Sequence, residues 1–567
     1  MASVENLVME SLQFKYTQAS RKWKIVAAIA CVVAIVMTGL FIWQLLKSDE
    51  QSDTFCNGKN GPKDEEAKMI NPQEQFGRQC PHQLARLPPI FDPTPERLSN
   101  ALKNVGDYID SVVDPEAQLP AISVNVFYQN RTLLNRHYGS KNYKGENKPD
   151  DQTVYRIGSI TKVFVVLMVY KFYEDGLIQS LDDPLSKYAP DFFIQNPYTN
   201  ENVTIRQIAS QMSGLPREAP CFYICENVTS ADQLQQLKNR SLVMAPGTMP
   251  SYSNLGYALL GRLLTENLLQ NQTFESWVRE RILKPLNMTN TGFQITEEVQ
   301  RNMAFPHSNN GSRMPFMIIY WVAPAGQMYS TLEDMTKLGK MFTQPSKQTL
   351  FRPSTLWEMM SPGNVAPDGF TVWGAPWEME QLEHFLVRGK GGVIDSYTGF
   401  VSVVPELELG MNLLISSMSF LKGSGSGPPA SRMTHEIYKM LLPVLNQTLF
   451  DLASSSSFPV DAKPYVGNYT LNVTDPLTSE ITTKSLRLTV KDDALAVHYF
   501  NTTKAAFHVF HIGDKFIFQA RFASPLASCL IERLGSYEDF HFFSFDEKGL
   551  STGFKVPGRG MIATRLF

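Results

Sequence analysis

The chain has 567 residues, 43% of them apolar and 19% charged, with a formal net charge of −3. That length leaves room for several domain-sized units and an ample core. The charge balance, with no basic stripe interleaved by aromatics, excludes a nucleic-acid partner.

From the N-terminus, residues 1–24 end in Arg21, Lys22 and Lys24, and Ile25 to Leu46 is almost wholly apolar, Gln44 being the exception. At 1.5 Å per residue that segment reaches about 33 Å, enough to cross a bilayer. Trp23 and Trp43 sit where the two interfaces would lie, and Asp49, Glu50 and Asp53 follow. The positive-inside rule predicts a single-pass type II membrane protein: tail 1–24 cytosolic, transmembrane helix 25–46, and the rest extracellular or lumenal. Asparagines at Asn130, Asn202, Asn227, Asn239, Asn271, Asn287, Asn310, Asn446, Asn468, Asn472 and Asn501 each open a glycosylation sequon, all on the predicted outer side. An oxidising compartment would pair Cys56 with Cys80 and Cys221 with Cys225, leaving Cys529. No second Cys/His pair at ligand spacing accompanies Cys221 and Cys225, so no metal is expected. Residues 47–95, polar and with Pro88, Pro89 and Pro93 near their end, read as a stalk.

Beyond the stalk, apolar residues at helical spacing (Leu98, Leu102, Val105, Ile109) predict a helix over 96–112. Ala121 to Phe127 and Leu133 to Tyr138 predict a hairpin around Asn130. Next comes Tyr155-Arg-Ile-Gly-Ser-Ile-Thr-Lys162, leading into an apolar helix that ends near Asp175-Gly176. Helical spacing of three puts Ser159 and Lys162 on one face. A lysine beside apolar residues has a lowered pKa and can take the serine's proton, and the helix start offers free N–H groups to an oxyanion. Alone the pattern is weak, since Ser419 and Lys422 repeat it in a Gly/Ser-rich loop. A second helix start follows at Thr204, ending at Met212-Ser-Gly-Leu-Pro216. Pro246 to Tyr257 is then a turn-rich loop that launches another buried helix and carries Tyr252 and Asn254. A phenol beside a lysine cation can accept a proton, and the Asn254 amide can hold that lysine. Tyr198/Asn200 and Tyr499/Asn501 share the spacing without the context. A third stretch, Gly389-Lys-Gly-Gly-Val393, sets Lys390 among glycines in strand-like sequence, the mark of a backbone that approaches a ligand closely.

Ser159–Lys162, Tyr252–Asn254 and Lys390–Gly392, in that order, resemble the three motifs of the serine β-lactamase and penicillin-binding-protein family, notably its class C branch and the membrane-anchored vertebrate β-lactamase-like proteins. Leu181-Asp-Asp-Pro184, Ser213 to Pro216, Pro246-Gly247 and Ala325-Gly326 are similar too, so the likeness covers roughly residues 115–445. It implies an α/β (α+β) domain over 96–445, a central antiparallel sheet flanked by helices. It also implies roles: Ser159 as nucleophile, Lys162 and Tyr252 as acid-base partners, Asn254 orienting substrate, Lys390 binding a carboxylate or tuning Tyr252, and the segment Gly392–Val393 forming the oxyanion hole with Ser159 through the Val393 N–H. No cofactor is implied, and the partner is a small-molecule ester, amide or peptide. One departure is Gly391, where class C enzymes carry a threonine whose hydroxyl helps hold a substrate carboxylate; another is Gln211 or Met212 in place of a frequent histidine. The alternative is a fold with little turnover, kept for extracellular binding or self-assembly. Residues 446–462 read as a linker, and 463–567 as an antiparallel β-rich domain similar to the lipocalin-like module of some relatives, with strands at 485–490, 495–499, 507–512, 516–520 and 540–545. His508 and His511 there are packing residues.

Overall fold

The computed structural model describes residues 87–567 apart from 91, 114–119, 143–146, 222–225, 307–312, 314, 418–428, 455–461, 475–480, 492–493, 500–501, 504, 512–515 and 522–537. The apolar segment 25–46, the stalk up to 86, Cys56, Cys80, Cys225, Cys529, Asn310, Asn501 and the Ser419–Lys422 pair lie outside the described residues. Among the described residues no helix is long and apolar enough to cross a membrane.

The predicted first helix is α1 (Glu96–Val112), which buries Leu98, Leu102, Val105 and Ile109 on one stripe. The predicted hairpin is β1 (Ile122–Tyr128) and β2 (Arg131–Tyr138), antiparallel. The two-residue strand period shares β1 between two cores. Ile122, Val124 and Val126 join the cluster containing α1, while Ser123 and Asn125 turn the other way, to Tyr155 and Thr336. The chain then forms β3 (Tyr155–Arg156), a 3₁₀ turn (Gly158–Ile160) and α2 (Thr161–Glu174). Every α2 residue from Thr161 to Tyr170 is buried, as expected of a helix apolar on all sides. The helix launched from the Tyr252 loop is α3 (Asn254–Leu268), and β4 (Tyr329–Ser330), which pairs with β3, precedes α4 (Leu332–Thr343).

Strands β5 (Asn364–Val365), β6 (Thr371–Trp373), β7 (Glu378–Leu382), β8 (Phe385–Ile394), β9 (Tyr397–Val404) and β10 (Leu409–Ile415) complete an antiparallel sheet of order β2-β1-β10-β9-β8-β7-β6-β5. The cluster on one face joins α1 to α5 (Pro429–Ser454); the cluster on the other holds α2, α3 and α4. Eight further antiparallel strands, β11 (Gly467–Thr474), β12 (Ile481–Lys491), β13 (Ala494–Tyr499), β14 (Phe507–His511), β15 (Ile517–Arg521), β16 (Asp539–Phe545), β17 (Ser551–Val556) and β18 (Met561–Leu566), close into a barrel where β18 pairs with β11. Aromatic side chains pack within it: Tyr465 lies edge-on to Phe518 and to Phe542, each with ring centroids 4.9 Å apart. His511 packs edge-on against Phe518 at 5.3 Å.

Two expectations need correction. The linker does not begin at 446, because α5 continues to Ser454. Leu445, Leu449 and Leu452 extend its apolar stripe at i, i+4 and i+7, and the serine-rich run that suggested a linker begins only at its end. The same helix buries Asn446, so the folded chain does not present that sequon. Asn130, Asn202, Asn227, Asn239, Asn271, Asn287, Asn468 and Asn472 are exposed.

Arg156, 1% exposed, ties three segments together. Its guanidinium donates to Asp395 Oδ2 at 2.6 Å, to the Met317 carbonyl at 2.6 Å and to Gln327 Oε1 at 3.0 Å. The Asp395 side chain is 7% exposed, so removing the cation leaves a buried carboxylate unpaired. Arg156→Met should lower unfolding free energy by about 3–5 kcal/mol, read in urea titrations; a change below about 1 kcal/mol, the ceiling for a surface pair, would contradict this.

Candidate active site

The three motifs converge on one cleft of about 470 Å³, lined by Ser159, Tyr252, Asn254, Lys390, Gly392 and Val393 among others. Ser159 sits in the 3₁₀ turn ahead of α2, and Lys162 in the first turn of α2. Tyr252 immediately precedes Ser253, whose hydroxyl caps α3 by accepting from the Gly256 N–H, and Asn254 is the first residue of that helix. Lys390 to Val393 run along β8, beside the start of β7.

Around Ser159 Oγ the geometry is tight. The Tyr252 hydroxyl donates to it at 2.7 Å and Lys162 Nζ at 3.0 Å. The same ammonium donates to Asn254 Oδ1 at 2.8 Å and to the Ala325 carbonyl at 2.7 Å. Lys390 Nζ donates to Glu378 Oε1 at 2.6 Å and lies 5.3 Å from the centre of the Tyr252 ring. By contrast, Tyr198 is 50% exposed and Tyr499 lies in the barrel wall, so neither copy of the Tyr-x-Asn spacing reaches the cleft.

Burial sets the proton affinities, and neighbouring charge then separates them. Desolvation pulls Lys162 below the usual lysine range, with the Lys390 cation adding to the fall and Tyr252 opposing it. Desolvation alone would raise the Tyr252 phenol, but the cations of Lys162 and Lys390 outweigh it and bring the group below 10. Lys390 is equally desolvated, yet Glu378 and Tyr252 reverse the effect and hold it above 10.5. Lys390 is therefore a fixed cation, while Lys162 and Tyr252 form a coupled pair that can exchange a proton through Ser159.

The segment Gly392–Val393, expected from the resemblance to form the oxyanion hole, depends on backbone contact. A Cβ on Gly392 would lie 1.9 Å from the Ile157 carbonyl oxygen, and one on Gly158, whose φ is +50°, would lie 2.8 Å from the Val393 nitrogen. Glycine at both positions lets the turn carrying Ser159 press against β8.

Three residues to which the sequence assigned no role complete the site. Asn254 Nδ2 donates to both oxygens of Glu218 at 3.0 Å. The Ser253 N–H donates to Gln211 Oε1 at 2.7 Å, giving Gln211 a positioning role in the Tyr252 loop. Glu378 pairs with Lys390. Gln211 was visible as a departure from a motif; the two glutamates carry no local signal. Cys221 is disulfide-bonded.

The Beta-lactamase family profile matches residues 105–430, more than half of the chain. A human protein, "Putative beta-lactamase-like 1", is 32% identical over 493 residues, covering 83% of this chain and 95% of its own. The chain belongs to the serine β-lactamase and penicillin-binding-protein family. "Beta-lactamase-like protein 2" of Dictyostelium discoideum is 30% identical over 474 residues, covering 79% of this chain and 81% of its own. The octameric penicillin-binding protein homologue from Pyrococcus abyssi superposes with a TM-score of 0.52 at 19% identity, covering 82% of this chain and 100% of that one, a likeness of fold. Within this β-lactamase fold, the two glycines of β8 differ in what they demand. Gly392→Ala should cost at least about 3 kcal/mol, the upper end for overpacking, and should slow labelling of Ser159 by an acylating probe. Gly391→Ala, whose added Cβ meets nothing closer than 3.4 Å, should do neither. Thermal unfolding and labelling rates check both; equal tolerance would refute the contact argument.

Proposed function

We propose that this β-lactamase-family protein is a serine hydrolase that cleaves an ester or amide, peptides included, through an acyl-enzyme on Ser159. The observation that carries this reading is the convergence of Lys162 Nζ and Tyr252 Oη on Ser159 Oγ at 3.0 and 2.7 Å. In acylation, Ser159 Oγ attacks the carbonyl carbon while its proton passes to the Lys162–Tyr252 pair. The N–H groups of Ser159 and Val393 receive the oxyanion. The pair then protonates the leaving alcohol or amine as its bond to carbon breaks. In deacylation the same pair takes a proton from water, which attacks the acyl ester and releases the acid, returning the proton to Ser159 Oγ. Asn254, fixed by Glu218, holds Lys162 in place and presents its amide to substrate. We further propose that residues 25–46 anchor the chain as a type II membrane protein with this site outside the cytosol, a reading supported by the apolar run and the basic residues before it.

The test is a fluorophosphonate probe with intact-mass readout on the full chain. One adduct is expected on the wild type and none on Ser159→Ala; no adduct on folded wild type across several probe shapes would favour the scaffold alternative. Tyr252→Phe should lower the acylation rate by about 10²–10⁴, the usual worth of a general base.

A pH profile on a neutral ester adds a signed prediction. Activity requires the Lys162–Tyr252 pair to have lost a proton, so kcat/KM should rise with pH through a limb below pH 10 and be lost as pH falls. The Lys390 cation lowers both members, so Lys390→Met should move that limb to higher pH. An unmoved limb would remove Lys390 from the electrostatics of the base.

A further inference from the structure

The two cations on the described lining of this cleft already have carboxylate partners. Among the described residues lining it, the positive side chains are Lys390 and Arg217. Lys390 Nζ lies 2.6 Å from Glu378 Oε1, and Arg217 Nε lies 3.2 Å from Glu218 Oε1. A third carboxylate on the lining, Asp395, is bound to Arg156 at 2.6 Å. The Lys390 side chain is 2% exposed whereas that of Glu378 is 30% exposed, so a ligand reaching toward the ammonium meets the carboxylate first.

The backbone at Gly391 is engaged in the same way. Its N–H donates to Glu378 Oε2 at 3.3 Å. A side chain at 391 is not forbidden by packing, because an added Cβ would meet Phe400 and Glu378 at 3.4 to 3.6 Å. The missing hydroxyl is therefore no consequence of a crowded strand. One glutamate occupies the two groups, ammonium and β8 amide, that would otherwise receive an anion.

On the premise that Ser159 is acylated, we propose that Glu378 is a specificity-determining residue that directs the site to acyl donors whose leaving group is neutral or cationic, and against those whose leaving group carries a carboxylate. The leaving group takes its proton from the Lys162–Tyr252 pair, and Lys390 Nζ lies 5.3 Å from the Tyr252 ring centre, so an anion carried by that group has to displace Glu378 from Lys390 or lie beside it, where like charges at contact distance repel. A neutral or ammonium-bearing group meets no such opposition.

The test compares phenylacetylglycyl esters of 3-hydroxybenzoate, 3-hydroxybenzamide and 3-(trimethylammonio)phenol on the full chain. Wild type should favour the amide and ammonium esters over the carboxylate ester in kcat/KM by at least about tenfold, the scale of one like-charge contact near a surface. Glu378→Gln keeps a side chain that can bond Lys390 and removes the charge, and should raise the carboxylate-to-amide ratio by about tenfold or more. Glu378→Asp keeps the charge and should retain the wild-type order. A ratio unmoved in Glu378→Gln, or a wild type that prefers the carboxylate ester, would overturn the proposal while leaving the hydrolase reading standing. Competition by 3-hydroxybenzoate and 3-hydroxybenzamide, the leaving groups themselves, against cleavage of the amide ester reads the same preference in binding. No cleavage of any of the three esters by folded wild type would overturn both.

Discussion

Among the described residues no carboxylate is hydrogen-bonded to the buried ammonium of Lys162, and the candidate site is arranged around that fact. Burying such a charge costs several kcal/mol even after relaxation, and here the offset comes from neutral oxygens on three separate segments: Ser159 Oγ, Asn254 Oδ1 and the Ala325 carbonyl. The turn before α2, the start of α3 and the short helix Ala323–Gly326 are thereby drawn to one point. Glu218 adds direction. Two carboxylate oxygens accept from Asn254 Nδ2, so the oxygen end of that amide has to face the lysine. Moving any of these acceptors would favour the neutral amine and a different proton count at Ser159.

Two buried lysines with opposite fates explain how the site can do acid-base chemistry without a histidine. Desolvation presses both toward the neutral amine. Only Lys390 has a carboxylate at hydrogen-bond distance, and Glu378 keeps it charged. Tyr252 lies beside both, with its ring centre 4.9 Å from Lys162 Nζ and 5.3 Å from Lys390 Nζ. A constant cation thus biases a phenol that also feels a labile one, the separation of proton affinities by which acid and base roles are assigned. Glu378 acts twice, on the charge of Lys390 and on what can approach it.

What the sequence made legible is what is local. The helix over 96–112, the hairpin around Asn130, the turn into α2 and the barrel strands β12 to β16 follow from side-chain periodicity and turn residues within a few positions of one another. The three motifs were readable because each combines a reactive side chain with the backbone device that presents it. The ion pairs Glu378–Lys390 and Arg156–Asp395 were not, because they arise from strand pairing and loop packing between distant segments. Nor was the full length of α5, where a serine run drew the boundary although Leu445, Leu449 and Leu452 kept the helical period.

The strand β8 is held in register with Ser159 by two unlike devices. At Gly392 the constraint is steric: the Ile157 carbonyl occupies the volume of a side chain. Just beyond the end of β8 it is electrostatic, through Asp395 and Arg156. Arg156 is the last residue of β3, two positions before Gly158. Both devices thus act on the same short segment, residues 156–158, that leads directly into Ser159. A contact between backbones resists closer approach but not separation, and a salt bridge resists separation. Together they bound the gap between Ser159 and Val393 from both sides, which the proposed oxyanion hole would require because its donors have to be in place before the charge develops.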